Sequence, residues 1–281
     1  MPNQMTLSPL LISKFVLWIV VIVTATILIR RHKVTSKVRL AFIVGGVLAF
    51  GLVYGLLTRG GLNPNPVFSV RNLLVIVLVK HQLLIPVVAM LVILLLMVWV
   101  SNKSICGWGC QLGLLQDLIG RVPLPKGWHW KPPFWLSNTV RVIAFVALVV
   151  GLAVAGLDWI GIIDPFKLFQ FNFTLAIGLF SAVILVASLF IYRPWCHFLC
   201  PFGLLGWLVE QVSLFRPRIN REACKECKLC VKACPTNAMA DFYDGKKIHA
   251  DCFACGDCIE ACPRDDALGW WTKSQAKGKQ V

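Results

Sequence analysis

Long apolar stretches and short polar ones alternate along the first two thirds of the chain. Five apolar runs stand out, at roughly 10–29, 40–58, 73–100, 139–157 and 173–192. About 20 apolar residues is the length at which a helix crosses the hydrocarbon of a bilayer, so the pattern predicts transmembrane helices. Lys14 is the one basic residue ahead of the first run's core, and the basic cluster follows that run. Those flanks suit a retained helix and not a cleaved signal peptide; without this helix a bundle of four remains. The third run is interrupted by Lys80, His81 and Pro86. Its spanning part is read as 82–100, with 73–79 a separate interfacial piece. Asn63 to Pro66 signals a turn before it. Beyond residue 193 the long runs stop and cysteine becomes dense.

Composition changes the picture little and charge changes it more. The chain has 281 residues, 58% hydrophobic and 15% charged, which excludes an ordinary soluble ferredoxin. Its formal net charge is +15. Nucleic acid is one partner such a balance suggests. The basic residues instead segregate by loop: 30–39, 101–141 and 193–281 hold most of them. The positive-inside rule then places the N-terminus outside and the cysteine-rich end in the cytoplasm. The expectation is a multi-pass protein of the bacterial inner membrane, in contact with lipid and not with nucleic acid.

The cysteine-rich end carries the chemistry. It reads Cys224-Lys-Glu-Cys227-Lys-Leu-Cys230-Val-Lys-Ala-Cys234-Pro235, then Cys252-Phe-Ala-Cys255-Gly-Asp-Cys258-Ile-Glu-Ala-Cys262-Pro263. Both copies have the spacing of the two-cluster bacterial ferredoxins, in which three cysteines wrap one cluster and the fourth ligates the other. The fourth is expected to open a helix pointing away from the first three. The spacing assigns one 4Fe–4S cluster to Cys224, Cys227, Cys230 and Cys262, and a second to Cys252, Cys255, Cys258 and Cys234. Zinc sites use paired C-x2-C motifs and fit the run poorly. Structural disulfides need an oxidising compartment.

A second cysteine pattern repeats at an offset of 90 residues. Cys106-Gly-Trp-Gly-Cys110-Gln-Leu-Gly113 matches Cys196-His-Phe-Leu-Cys200-Pro-Phe-Gly203. Each copy follows a helix, an outer loop with Asn-Pro or Asp-Pro, and a second helix. Two copies in the same orientation imply a pseudo-twofold axis along the membrane normal, as in parallel transporter repeats. That axis would gather Cys106, Cys110, Cys196 and Cys200 near the cytoplasmic surface. Three readings stay open for them: a third metal centre, a redox-active or metal-shuttling thiol set, and buried small hydrophobes. The segments 112–119 and 202–212 read either as helices lying in the interface plane or as an ordinary extension of the helix bundle.

The fold class is therefore an all-α membrane bundle of five or four transmembrane helices in two tandem parallel repeats, followed by a small α+β ferredoxin-like domain. The domains divide as 1–39, an N-terminal helix and basic loop; 40–213, the membrane domain; 214–270, the two-cluster domain; and 271–281, a basic tail. Over about 40–270, helices flanking two C-x3-C motifs ahead of a two-cluster ferredoxin domain resemble the NapH-type membrane polyferredoxins, the group that includes MauN and the C-terminal part of NosR. In that family both motifs usually end in proline, and here Gln111 replaces the first. The resemblance implies an electron-transfer subunit of a quinol dehydrogenase module, feeding a periplasmic reductase or dehydrogenase path through another iron–sulfur protein or a multihaem cytochrome. Lys80, His81, Asp158 and Asp164, ionisable residues near the outer membrane edge, are the candidates for a quinol site. The alternative function is a maturation factor using the C-x3-C thiols.

Overall fold

A computed structural model describes residues 9–58, 64–123, 125, 127–172, 174–273 and 275. Most of the 271–281 tail, and the Asn63 end of the expected turn, lie outside these residues. Helix α1 (Pro9–Arg30) turns Lys14, Trp18, Ile22, Ala25 and Ile29 inward, a stripe at helical spacing. Ile12, Val16, Val20, Val23 and Ile27 face outward. A helix apolar on every side belongs in lipid or a large core. Three helices are long and apolar enough to cross a membrane: α1, α2 (Ser36–Leu57) and, later in the chain, Phe134–Ala155. The protein is a membrane protein on this ground and on that of its relatives below.

Thr35 starts α2, its hydroxyl accepting the Val38 N–H. The middle of α2 loosens into a π-helical stretch, Val47–Val53. There Gly51 and Gly55 let the Phe169 segment lie against the helix, since a Cβ at Gly55 would collide with the Phe169 carbonyl. Helix α3 (Pro66–Val79) is a shorter apolar helix. Residues 73–79, expected as a separate interfacial piece, are its second half. Asn65 caps it, accepting the Phe68 N–H at 2.8 Å. Helices α4 (Ile85–Ser101), α5 (Gln111–Gly120), α6 (Phe134–Ala155), α7 (Trp159–Ile163) and α8 (Leu175–Phe190) follow, then α9 (Pro194–Phe198) and α10 (Pro201–Glu210).

The stretches 102–121 and 193–211 dip back into the bundle instead of lying flat on a surface. Asn102 Nδ2 donates to the Cys252 carbonyl, at the level of the ferredoxin-like domain. The chain then turns inward through Ile105–Gly109, where Trp18 Nε1 donates to the Gly109 carbonyl. Helix α5 returns to the domain, where Arg121 meets Asp257 at 3.4 Å. Leu112, Leu114 and Phe202 are fully buried. Of the two readings of 112–119 and 202–212, the packing matches helices of the bundle, re-entrant in that they turn back into it. Irregular backbone at membrane depth is tolerated only inside protein, and burial supplies that condition here.

The C-terminal domain closes on a two-stranded antiparallel sheet, β1 (Arg216–Ile219) with β2 (Leu268–Trp271), pairing Arg216 with Trp271 and Ile219 with Leu268. Short helices α11 (Leu229–Ala233), α12 (Ala238–Tyr243) and α13 (Asp257–Glu260) lie between the strands. The domain is bound to the bundle by specific contacts. Trp108 Nε1 donates to Ala254 O at 2.7 Å, Trp207 Nε1 to His249 O at 2.9 Å, and Ser36 N to Glu260 Oε1 at 2.7 Å.

Candidate functional site: cysteine quartets at the foot of the bundle

Two cavities open in the C-terminal domain. One is lined by Cys224, Cys227, Cys230 and Cys262 with Ile219 and Leu268. The other is lined by Cys234, Cys252, Cys255 and Cys258 with Met239 and Trp270. Each wall thus holds three consecutive cysteines of one motif and the last of the other. The local backbone explains this. Glu226 and Lys228 flank Cys227 in the left-handed region (φ 54° and 55°), and Ala254 and Gly256 flank Cys255 likewise (φ 52° and 90°). Alternating left-handed residues curl each loop around its cavity. Such φ values are uncommon away from glycine and cluster at ligand-holding loops. The fourth cysteine does not open a helix, as the spacing suggested. Cys234 caps the C-terminal end of α11, and Cys262 follows α13, so a short helix carries the chain across between the cavities.

The donor set fits iron–sulfur clusters. Among the described residues no three His, Cys, Asp or Glu side chains converge as a single metal ion requires. The thiols instead gather in fours, each set lining one pocket. Burial pushes the thiols of Cys252, Cys255 and Cys258 upward, with neighbouring carboxylates adding to it. Without a metal these sulfurs hold their protons at neutral pH; a metal's charge deprotonates them. The two sites differ in exposure. Cys227 is exposed, whereas Cys234 and Cys258 are buried.

The inner quartet touches the bundle. A Cβ on Gly107 would collide with the Phe253 carbonyl oxygen, so the Cys106–Cys110 turn and the Cys252–Cys255 loop meet backbone to backbone. Buried ions pin the contact. Asp251 accepts from Arg141 at 3.0 Å and pairs with Lys103, and Lys103 lies 3.4 Å from Glu210. Asp117 takes Arg39 at 2.7 Å, Arg193 at 2.8 Å and Arg121 at 3.0 Å. Arg39 and Arg193 both donate to the Gly107 carbonyl. The sequence marks Asp117 and Glu210 only as polar breaks in apolar segments and Arg39 only as part of a basic cluster; their pairing was not expected. A signal existed: Lys103 and Arg193 each stand three residues before the first cysteine of a C-x3-C copy.

Cys106, Cys110, Cys196 and Cys200 are all buried, in one core cluster. Gln111, where the family pattern has proline, instead turns its Oε1 toward Lys14 Nζ at 3.5 Å. The four outer candidates are not gathered into one site. Lys80 and His81 are exposed at the connection between α3 and α4. Asp158 and Asp164 share the loop after α6, where Asp158 accepts the Gly161 N–H at 3.0 Å and Asp164 the Phe166 N–H at 3.0 Å. Arg71, which the sequence reading passed over, donates its Nε to Asp158 at 2.6 Å. Burial raises the Asp164 carboxyl from its ordinary value. No hydrogen bond or ion pair among the described residues joins Lys80 or His81 to either aspartate.

Residues 223–268 match the family described as "4Fe-4S dicluster domain". Residues 83–131 and 173–222 match a second family, "4Fe-4S binding domain". The chain is 30% identical to the protein YccM of Escherichia coli over 69% of its length, and 27% identical to "Ferredoxin-type protein NapH" of Haemophilus influenzae over 61%. The matches cover 57% and 63% of those two proteins, less than two thirds of either. It is also 28% identical to "Methylamine utilization ferredoxin-type protein MauN" of Methylorubrum extorquens, over 75% of this chain and 78% of that one. No solved structure matches the chain.

Proposed function

Because this chain belongs to the NapH-type membrane polyferredoxin family, we propose that its iron–sulfur electron transfer links quinol in the bilayer to a separate iron–sulfur or haem protein. The observation that carries this reading is the pair of cysteine-walled cavities at one end of an apolar bundle, the buried one pressed against it. In this reading Cys224, Cys227, Cys230 and Cys262 hold one 4Fe–4S cluster, and Cys234, Cys252, Cys255 and Cys258 hold a second. When bound, such clusters supply one-electron chemistry whose potential follows burial and hydrogen bonding.

The chain's own residues do the rest. Left-handed loops aim the sulfurs, and Phe253, Met239 and Trp270 exclude water from the inner site. The exposed Cys227 side gives a soluble partner its approach. Five helices in two tandem units build the bundle, with α3 as an added shorter apolar helix. The basic residues at Arg30, Arg31 and Lys33 set the clusters on the cytoplasmic face of a bacterial inner membrane. The quinol site falls on the far loop, with Asp164 as proton acceptor and the Arg71–Asp158 pair fixing its backbone. The maturation-factor alternative needs thiols that a partner can reach, and all four C-x3-C thiols are buried.

The test is anaerobic addition of a reduced quinone to the protein in lipid vesicles. Quinol-driven bleaching of the cluster absorbance, lost in Asp164→Asn while the iron content stays, supports the reading. Clusters that dithionite reduces but quinol leaves oxidised would remove the quinol link.

A further inference from the structure

The small sheet has two unlike faces. On one, Pro217, Ile219, Leu268 and Trp270 wall the two cysteine cavities. Side chains alternate along a strand, and directly paired residues share a side. The other face therefore carries Arg216, Arg218, Gly269 and Trp271. The Trp271 ring lies over Gly269, where a Cβ would collide with it. Arg216 donates to the Gln211 carbonyl at 3.0 Å, and Arg218 Nε to the Trp271 carbonyl at 3.1 Å. Among the described residues neither guanidinium meets a carboxylate. The fully buried arginines all do: Arg39 and Arg193 meet Asp117, and Arg141 meets Asp251. Burial pushes Arg216 below the ordinary arginine value, and burial with the Arg216 charge does the same to Arg218. A half-buried cation without a counter-ion is costly.

This face lies where the chain leaves the bundle. Leu214 N–H donates to the Trp99 carbonyl at 2.8 Å and Phe215 N–H to that of Val100 at 3.1 Å, at the last turn of α4. Arg30, the last residue of α1, lies over the Phe215 ring at 4.9 Å. Strand β1 thus starts at the level where two apolar helices end. Val212 and Leu214, just ahead of Arg216, are apolar side chains left 67% and 39% exposed. Exposed apolar residues running straight into unpaired arginines make a surface suited to the headgroup level of a bilayer.

We propose that Arg216 and Arg218 hold the phosphodiester of an anionic phospholipid, its acyl chains lying toward Val212 and Leu214. The inference goes beyond the electron-transfer reading and rests on the membrane placement alone. A guanidinium is a planar fork that donates to two phosphate oxygens at once. Two of them on one strand face, at i and i+2, present both forks to one headgroup. Basic sites at the cytoplasmic ends of spanning helices are where such headgroups are recognised. A soluble acidic partner would match the charge but leave Val212 and Leu214 bare. The bound lipid ties the sheet that walls both cysteine cavities to the bilayer.

The experiment uses full-length protein in neutral detergent, with native mass spectrometry counting the lipid retained per chain. The probes are phosphatidylglycerol, phosphatidylcholine and inorganic phosphate. The wild type is expected to retain phosphatidylglycerol over phosphatidylcholine and to be unaffected by phosphate. Affinity for phosphatidylglycerol should fall by roughly thirtyfold in Arg216→Gln/Arg218→Gln, the effect of two interfacial charges. It should hold in Lys33→Gln/Lys37→Gln, which removes two exposed cations from the same side. Equal retention of both lipids overturns the proposal, and so does competition by inorganic phosphate. An equal loss in both double variants also overturns it, since a diffuse surface charge would then suffice. Should the arginine variant not fold, Arg216→Lys/Arg218→Lys replaces it. There the charge stays and the fork is lost, so retention falls by less, and unchanged retention is the contrary result. The readout is bound lipid, so failure of the quinol link would leave it unmoved.

Discussion

At Gly107 the bundle meets the cluster domain backbone to backbone, and a single methyl group tests that contact. In Gly107→Ala the new Cβ meets the Phe253 carbonyl, and overpacking of this kind costs about 1–3 kcal/mol. The expected outcome is unchanged iron content with faster hydrogen exchange over 252–258. Unaltered exchange would mean that the loop and turn do not touch. His249 makes a second residue-level prediction. Its Nδ1 faces the Ala250 carbonyl at 3.0 Å, and its Nε2 is buried with no partner. Burial lowers it to about 4, with Arg216 and Lys103 adding to the effect. The folded pKa lies below the unfolded one, so the unfolded chain binds the extra proton. Stability is fully present above about pH 6.5 and declines as pH falls toward 4, by about 3 kcal/mol in all. Thermal unfolding should therefore show a steeper acid slope in the native protein than in His249→Gln; equal slopes would refute the assignment. Neither residue was legible beforehand. A glycine between two cysteines and a lone histidine carry no mark of which backbone will approach them.

At the scale of elements, the crossing of the fourth cysteine is the feature with the sharpest consequence. Cys234 belongs to the first motif but lines the cavity of the second. Cys234→Ser should therefore perturb the same paramagnetic signal as Cys258→Ser and spare the one that Cys227→Ser perturbs. Loss of the Cys227-dependent signal instead would undo the interlocked assignment. The hub at Asp117 gives a stability prediction. Asp117→Asn leaves three guanidinium groups around an uncharged amide, and breaking a buried ion network by removing one partner costs roughly 3–5 kcal/mol. A clear drop in detergent unfolding temperature is expected, and none would mean that the arginines find other partners. The ferredoxin elements were readable because ligand spacing is a local constraint. The re-entrant helices α5 and α10 were not. Their apolar faces, with Asp117, Gln116 and Glu210 interspersed, look the same whether lipid headgroups or buried arginines receive the polar groups.

Across the whole molecule, length and hydropathy made the bundle legible and left its interior hidden. The run at 10–29 became α1 to within a residue at each end, and the run at 40–58 became α2, which starts four residues earlier at Ser36, since lipid demands continuous helix. The run at 73–100 split, because Lys80 and His81 interrupt it and α3 enters from Pro66. The buried ionic networks that dock the cluster domain were invisible, for their members come from segments up to 148 residues apart, as Lys103 and Asp251 do. Together these parts make one body: an apolar bundle whose foot carries two interlocked cysteine quartets. The most direct measurement is electron paramagnetic resonance of the anaerobically purified protein after dithionite reduction. The account predicts the broadened spectrum of two reduced 4Fe–4S clusters close enough to interact. A silent sample, or one carrying zinc in the quartets, would contradict it.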